Sequence, residues 1–247
     1  MPRIIVGTIT GRDFNARTQD SIEALQVPQG YEVRQIRVTS AILWLARGQV
    51  VDRFLADPEN HYLFFLDSDM VAPPHTLVSM LGRDADVVAC LCCKREPPFW
   101  PVFYTGWNDM SGATVANNFF PLQGAHPIWG SGGACFMTKR HVWDRIREKF
   151  DGHYFYHDRI GNKDVIGEDV TFYRKANALG FRTILDADVH VGHIMDYPVY
   201  PTDAMRWFPY AANERANAYK AAVEREELKT EIEKLRIREK AFEVVKA

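Results

Sequence analysis

Residues 61–74 read HYLFFLDSDMVAPP, and this stretch decides how the rest of the chain is read. The apolar run 62–66 is short and continuous, the pattern of a central strand buried on both faces. Asp67-Ser68-Asp69 follows its carboxyl end, and Pro73-Pro74 then opens a helix through Leu81, proline being at home in a first turn. In open α/β sheets ligands bind at the carboxyl ends of the strands, which is where Asp67 and Asp69 fall. With a period of two, both side chains share a face if the strand continues. Two adjacent carboxylates repel each other, and a divalent cation relieves that repulsion. Oxygen ligands of this kind suit Mg²⁺ or Mn²⁺ carrying phosphates.

Working outward, the chain alternates strand-like and helix-like segments. Residues 3–8 (RIIVGT) read as a buried strand ending in Gly-Arg-Asp, and 16–26 has helical spacing through Ile22 and Leu25. Residues 31–38 alternate as a strand does, and 41–56 places Leu45, Val50, Val51, Phe54 and Leu55 at helical intervals. Residues 86–92 supply another strand. This βαβαβαβ order predicts an α/β fold with a mostly parallel sheet flanked by helices. After Lys94 the chain is interrupted by Pro97, Pro98 and Pro101 and becomes rich in Gly, Asn and aromatic residues as far as Pro127. The glycine run 130–133 (GSGG) leads into the apolar run 134–137, a helix over 139–150, a helix over 168–179 stopped by Gly180, and a last strand over 182–186.

The 247 residues are expected to divide into a main domain over 1–200, which holds every candidate site residue, and a charged helical extension over 201–247. In the extension Leu228, Ile232, Leu235 and Phe242 form a short heptad-like stripe that Arg225, Glu239 and Lys246 interrupt. The helix is expected to pack on its own domain or to mediate a homo-oligomer. Apolar residues make up 47% and charged residues 25% of the chain, which excludes wholesale disorder and disulfide scaffolds. Thirty basic residues against 32 acidic give a net charge of −2, which argues against a broad nucleic-acid footprint. The first apolar run is too short for a signal-peptide core, and no run reaches membrane-spanning length. The four cysteines, Cys90, Cys92, Cys93 and Cys135, match no zinc spacing and read as buried reduced thiols. A cytoplasmic protein, or one peripheral to a membrane, is expected.

Two further signals carry chemistry. Gly167-Glu168-Asp169 opens a helix, where acidic residues are favoured by the helix dipole but where a carboxylate can also act as a general base. His190 and His193 lie just past the last strand, and His193 is preferred as a metal ligand because Gly192 permits close backbone approach. An imidazole beside two aspartates suits Mn²⁺ better than Mg²⁺. Phe99, Trp100, Phe103, Tyr104, Trp107, Phe119, Phe120 and Trp129 form either a core cluster or an acceptor surface. Tyr197, Tyr200, Trp207, Phe208 and Tyr210 are candidates for a lid.

Six stretches, in order, resemble the GT-A fold glycosyltransferases, in particular the family 2-like group. They are RIIVGT (3–8), ARGQVVDRFL (46–55), YLFFLDSDMVAPPHTL (62–77), DADVVACLCCKREPPFWPVFY (84–104), GSGGACFMTKRHVWDRI (130–146) and GEDVTFYRKANALGFRTILDADVHVGH (167–193). The resemblance implies a Rossmann-like domain that binds a nucleotide-diphosphate sugar, a UDP-sugar for preference, with Mn²⁺ or Mg²⁺. It implies that Asp69 and His193 hold the metal and that Asp67 binds the metal or the ribose. Ser68 would lie against the donor, and Gly132 and Gly133 beside the donor sugar and acceptor. Thr8, Thr10 and Arg12 would touch the base or ribose, and Arg47 would lie near the nucleotide. Asp169, or Glu168, takes the place of the base in inverting members. Retaining members share the same metal set, and there Asp169 would position substrate instead.

The function expected is transfer of a sugar to an acceptor hydroxyl, the acceptor being a glycan, a protein, a lipid-linked sugar or a modified base. Nucleotidyl transfer is the competing enzyme class, and it usually needs a glycine-rich phosphate loop with Arg or Lys at the first strand. Here that region has only Gly7, Gly11 and Arg12. A non-catalytic binding or assembly module is the third reading.

Overall fold

In a computed structural model, which describes residues 1–11, 14–108, 113–116, 121, 123–159, 165–195 and 198–201, the run 62–66 belongs to strand β3 at the heart of a seven-stranded sheet. The chain opens with β1 (Arg3–Thr10), α1 (Ala16–Glu23), β2 (Glu32–Thr39), α2 (Leu43–Leu55) and β3 (Asn60–Leu66). A two-residue strand β4 (Met70–Val71), α3 (Thr76–Gly82) and β5 (Val87–Leu91) follow. Pro73 and Pro74 lie in the turn before α3 rather than in its first turn. Next come β6 (Phe103–Asn108), β7 (Ala113–Ala116), β8 (Ala125–Pro127), β9 (Gly130–Ser131), β10 (Cys135–Lys139) and α4 (Arg140–Lys149). The remainder is β11 (Asp158–Arg159), β12 (Val165–Ile166), α5 (Glu168–Ala178), β13 (Thr183–His190), β14 (Gly192–Ile194) and β15 (Pro198–Val199). Arg12, Phe119, Phe120, Tyr197 and the whole extension 202–247, with Trp207, Phe208, Tyr210 and the Leu228 to Phe242 stripe, lie outside the described residues.

The sheet order is β2-β1-β3-β10-β5-β13-β8. β2, β1, β3, β5 and β13 run in one direction, while β10 and β8 run against it. The expected α/β class therefore holds, with an antiparallel strand set between β3 and β5. Side chains of β3 alternate between two cores: Leu63 and Phe65 enter one, Phe64 and Leu66 the other. The first core is roofed by α2, α4 and α5 through Phe54, Trp143 and Phe172. The second is closed by α3 through Leu77 and Met80. Burial on both faces explains why the strand reads as an unbroken apolar run. The four cysteines are buried free thiols, as expected.

The antiparallel strand has a positional effect. β10 enters the sheet at the edge where β3 and β5 leave it, so residues 132–134 lie beside Asp67. Asp67 N–H donates to the Ala134 carbonyl at 2.9 Å. A small sheet, β15-β14-β4, caps the same edge and pairs His193 with Met70. Ile194 N–H donates to the Asp69 carbonyl at 2.7 Å, which fixes the His193 strand against the Asp69 turn. α5 starts at the N-cap Gly167 and ends on Gly180 (φ 78°), with Gly180 N–H on Asn177 O and Phe181 N–H on Ala176 O, a Schellman stop.

Candidate active site

A two-lobed cleft opens at this edge. One lobe, about 420 Å³, is lined by Arg47, Asp67, Lys94, Gly132, Gly133, Glu168 and Asp169 among others. The other, about 360 Å³, is lined by Ile9, Gly11, Ser40, Ala41, Ser68 and Asp69. Leu43, Asp67, Arg95, Ala134 and His193 border both. The cleft therefore brings together Arg47, Asp67, Ser68, Asp69, Gly132, Gly133, Glu168, Asp169 and His193. Thr8 and Thr10 are buried in β1 and line neither lobe. Thr8 Oγ1 accepts from Gln35 Nε2 at 3.0 Å, so its hydroxyl serves the sheet. His190 reaches the Ala187 carbonyl at 2.8 Å and stays out of the cleft, whereas His193 enters it. Gly192 is packed by the Tyr200 ring, with 2.7 Å from its would-be Cβ to the ring, so any larger residue there would force the ring or the strand to shift.

Asp69 Oδ2 stands 3.4 Å from His193 Nε2. The other imidazole nitrogen, Nδ1, lies 2.9 Å from the Cys93 carbonyl, which only accepts. Nδ1 therefore carries a hydrogen, and Nε2 is aimed at the carboxylate, the outer hydrogen bond fixing ring orientation as it does in many metal-binding histidines. Burial alone would raise the Asp69 pKa, but His193 and Arg95 override it and hold the carboxyl below its ordinary value. For His193, burial pulls downward, and its contacts with Asp69 and the Cys93 carbonyl prevail and raise the imidazole pKa.

Asp67 pairs with an arginine beneath the cleft. Its Oδ2 accepts from Arg47 Nη2 at 2.8 Å, and among the described residues no group of three His, Cys, Asp or Glu side chains stands close enough to hold a metal. Of the expected set Asp67, Asp69 and His193, the structure brings Asp69 and His193 together, and Asp67 lies beside them on Arg47. A buried arginine, 2% exposed at the side chain, has claimed Asp67. Asp67 Oδ1 is buried and has no hydrogen-bond partner among the described residues. Burial raises the Asp67 pKa against the pull of Arg47. A carboxylate in the turn before β4 and an imidazole on β14, with an unpartnered carboxylate oxygen nearby, fit a divalent cation that completes its shell with phosphate and water.

Arg47, expected near the nucleotide, lines the cleft from below. It is the hub beneath the cleft: Nη1 donates to the Gly133 carbonyl at 2.6 Å and Nε lies 3.4 Å from Glu168 Oε1. Gly133 is required for this, because a Cβ there would stand 2.9 Å from Arg47 Cζ. Both acids line the cleft, but Glu168 is buried against Arg47 and Asp169 is the more exposed of the two. Asp169 Oδ1 accepts from Val170 N–H at 2.7 Å, and Oδ2 lies on the Gly132 side. Burial, then the neighbouring Glu168 charge, raises the Asp169 pKa, although the Val170 and Gly133 N–H groups and Arg47 pull the other way.

Among the described residues no phenylalanine, tyrosine or tryptophan lines either lobe. Phe103 is core, and Trp107 stacks on Trp129 at 5.5 Å with Arg174 over it at 5.1 Å. The sequence reasoning missed Lys94 and Arg95. They follow the carboxyl end of β5 just as Asp67 and Asp69 follow β3, and the same strand-end rule would have found them.

No family model matches the sequence, and a search of curated proteins gives no match. Among solved structures, A197 from STIV aligns with a TM-score of 0.57 at 18% identity, over 82% of this chain and 92% of that one. GalNAc-T7, solved with UDP, GalNAc and Mn²⁺, aligns with a TM-score of 0.54 at 11% identity, over 80% of this chain and 44% of that one. This chain thus spans less than half of GalNAc-T7. Both neighbours carry the GT-A fold of glycosyltransferases, and this chain has that fold.

Proposed function

We propose that the protein is a metal-dependent glycosyltransferase that moves a sugar from a nucleotide-diphosphate donor, UDP-linked for preference, to an acceptor hydroxyl. The observation that carries this reading is the meeting, in one cleft of a GT-A fold, of the Asp69–His193 pair with the inward-facing Asp169. The lobe bounded by Ile9, Gly11, Ser40 and Ser68 suits the nucleotide, and the lobe holding Gly132, Gly133 and Asp169 suits the donor sugar and acceptor. Asp69 and His193 would hold Mn²⁺ or Mg²⁺, with the Cys93 carbonyl keeping the imidazole in place. The ion, when bound, supplies Lewis-acid neutralisation of the leaving diphosphate. Asp67, pinned by Arg47, would shape the site from below and offer its free oxygen to ribose or to a metal-bound water.

Asp169 Oδ2 would take the acceptor proton as its oxygen attacks the anomeric carbon, the inverting course. The raised pKa makes this carboxylate a stronger base than an exposed one. Among the described residues the acceptor lobe offers charged side chains, glycines and the apolar Leu43 and Val102, and Lys94, Arg95, Glu96 and Asp169 would supply the polar contacts that orient the acceptor.

The test is incubation with UDP-sugars and Mn²⁺, with UDP and inorganic pyrophosphate both measured. Mn²⁺-dependent UDP release, abolished by EDTA, is expected. Pyrophosphate release would instead mark nucleotidyl transfer, and release of neither would mark a binding module.

A further inference from the structure

Arg95 lies four residues past the last residue of β5 and, among the described residues, is the one arginine or lysine that borders both lobes of the cleft. Its Nη1 stands 3.3 Å from Asp69 Oδ2, the same oxygen that faces His193 Nε2. The two aspartates of the turn are therefore balanced by two arginines in unlike ways. Arg47 is buried under Asp67 and held by further bonds to the Gly133 carbonyl and Glu168. Arg95 is 54% exposed at the side chain, and Asp69 is its one ion-pair partner among the described residues. A pair that exposed is weak, because solvent screens it and two long side chains lose freedom to form it. It releases at little cost.

We propose that Arg95 holds the cation's place on Asp69 in the free enzyme and, when cation and donor arrive, passes its guanidinium to the donor's diphosphate. The inference rests on the reading of Asp69 and His193 as the metal-holding pair. A dication on Asp69 Oδ2 and a guanidinium at the same oxygen are like charges a few ångströms apart, so the weaker partner leaves. The diphosphate that accompanies the cation brings the negative charge that Arg95 has lost. Arg95 borders both lobes, and the leaving diphosphate must lie between the nucleotide in one and the sugar in the other. The planar fork of an arginine binds phosphate oxygens two at a time, which a lysine does not. Lys94 borders only the Asp169 lobe and lacks that reach.

The two halves of this exchange have opposite signs, and that makes them separable by experiment. Mn²⁺ is titrated alone, with the free ion followed by electron paramagnetic resonance. UDP is titrated at saturating Mn²⁺ by calorimetry. Wild type, Arg95→Ala and Arg95→Lys are compared. Arg95→Ala is expected to bind Mn²⁺ alone about two- to fivefold more tightly, the weight of one exposed ion pair. It is expected to bind UDP with Mn²⁺ about tenfold or more weakly, the weight of a charge-assisted contact. Arg95→Lys should bind the ion as wild type does and still lose UDP affinity. Unchanged or parallel changes in the two affinities for Arg95→Ala would overturn the exchange while leaving the metal pair intact. Failure of all three proteins to bind Mn²⁺ at all would overturn the metal pair itself, and the exchange with it.

Discussion

Asp169, the residue proposed as general base, faces two requirements that usually conflict. A general base must be deprotonated at working pH, yet it gains strength from burial that favours the protonated form. Here burial and Glu168 raise its pKa, while two backbone N–H groups and Arg47 limit the rise. A base works deprotonated, so turnover should fall as pH drops through that raised pKa, placing the acid limb of the rate profile above the ordinary carboxylate range. Asp169→Asn should lower turnover by about 10²-fold or more, remove that limb and leave donor affinity nearly intact. Steady-state rates across pH with donor affinity measured separately check all three. Asp67, Asp69 and Asp169 are legible in the sequence because a strand end and a helix start are recognisable from local pattern. The partner of Asp67 is not. Arg47 sits mid-helix, 20 residues earlier, in a position that reads as one more helical residue. Its pairing exists only once α2 lies on the sheet.

At the scale of elements, β10 decides where the site forms. It is antiparallel to both neighbours, so the glycines before it, rather than the residues after it, reach the catalytic edge. The apolar run 134–137 reads as a strand, but a period of two carries no direction, and direction was the part that mattered. Phe136 at its centre is fully buried, stacks on Phe65 at 5.1 Å and meets Phe172 at 5.3 Å, tying the strand to β3 and α5. Phe136→Ala should cost about 3–5 kcal/mol, since the aromatic cluster cannot collapse into the gap. Urea unfolding followed by tryptophan fluorescence gives the value, with Trp143 in the same cluster as reporter. The pairing of β14 with β4 is equally decisive and less legible. Two strands of three and two residues carry no periodic signal, yet their register sets His193 against Asp69.

At the scale of the whole molecule, the α/β class was legible because the longer strands and helices announce themselves by period or by an unbroken apolar run. The insertion of β10 and the small capping sheet were not, because both are long-range pairings. A ligand that binds only the native state stabilises it by mass action. UDP and Mn²⁺ together, at about a hundred times the dissociation constant, should add about 2.7 kcal/mol and raise the melting temperature by about 5–10 °C. Either one alone should give a smaller shift. Differential scanning fluorimetry with the full chain reads all three conditions, and equal melting temperatures would sink the nucleotide-sugar reading.

The late arrival of β10 in the chain has a consequence for biosynthesis. β3 and β5 are both complete by residue 91, yet the strand that joins them begins at residue 135. A ribosome therefore exposes two apolar strands with bare hydrogen-bonding edges for more than forty codons before their partner emerges. Such edges invite pairing with other chains. Translation pausing in that window, or a shortage of nascent-chain chaperones, should tax the yield of this protein more than that of one whose neighbouring strands are consecutive.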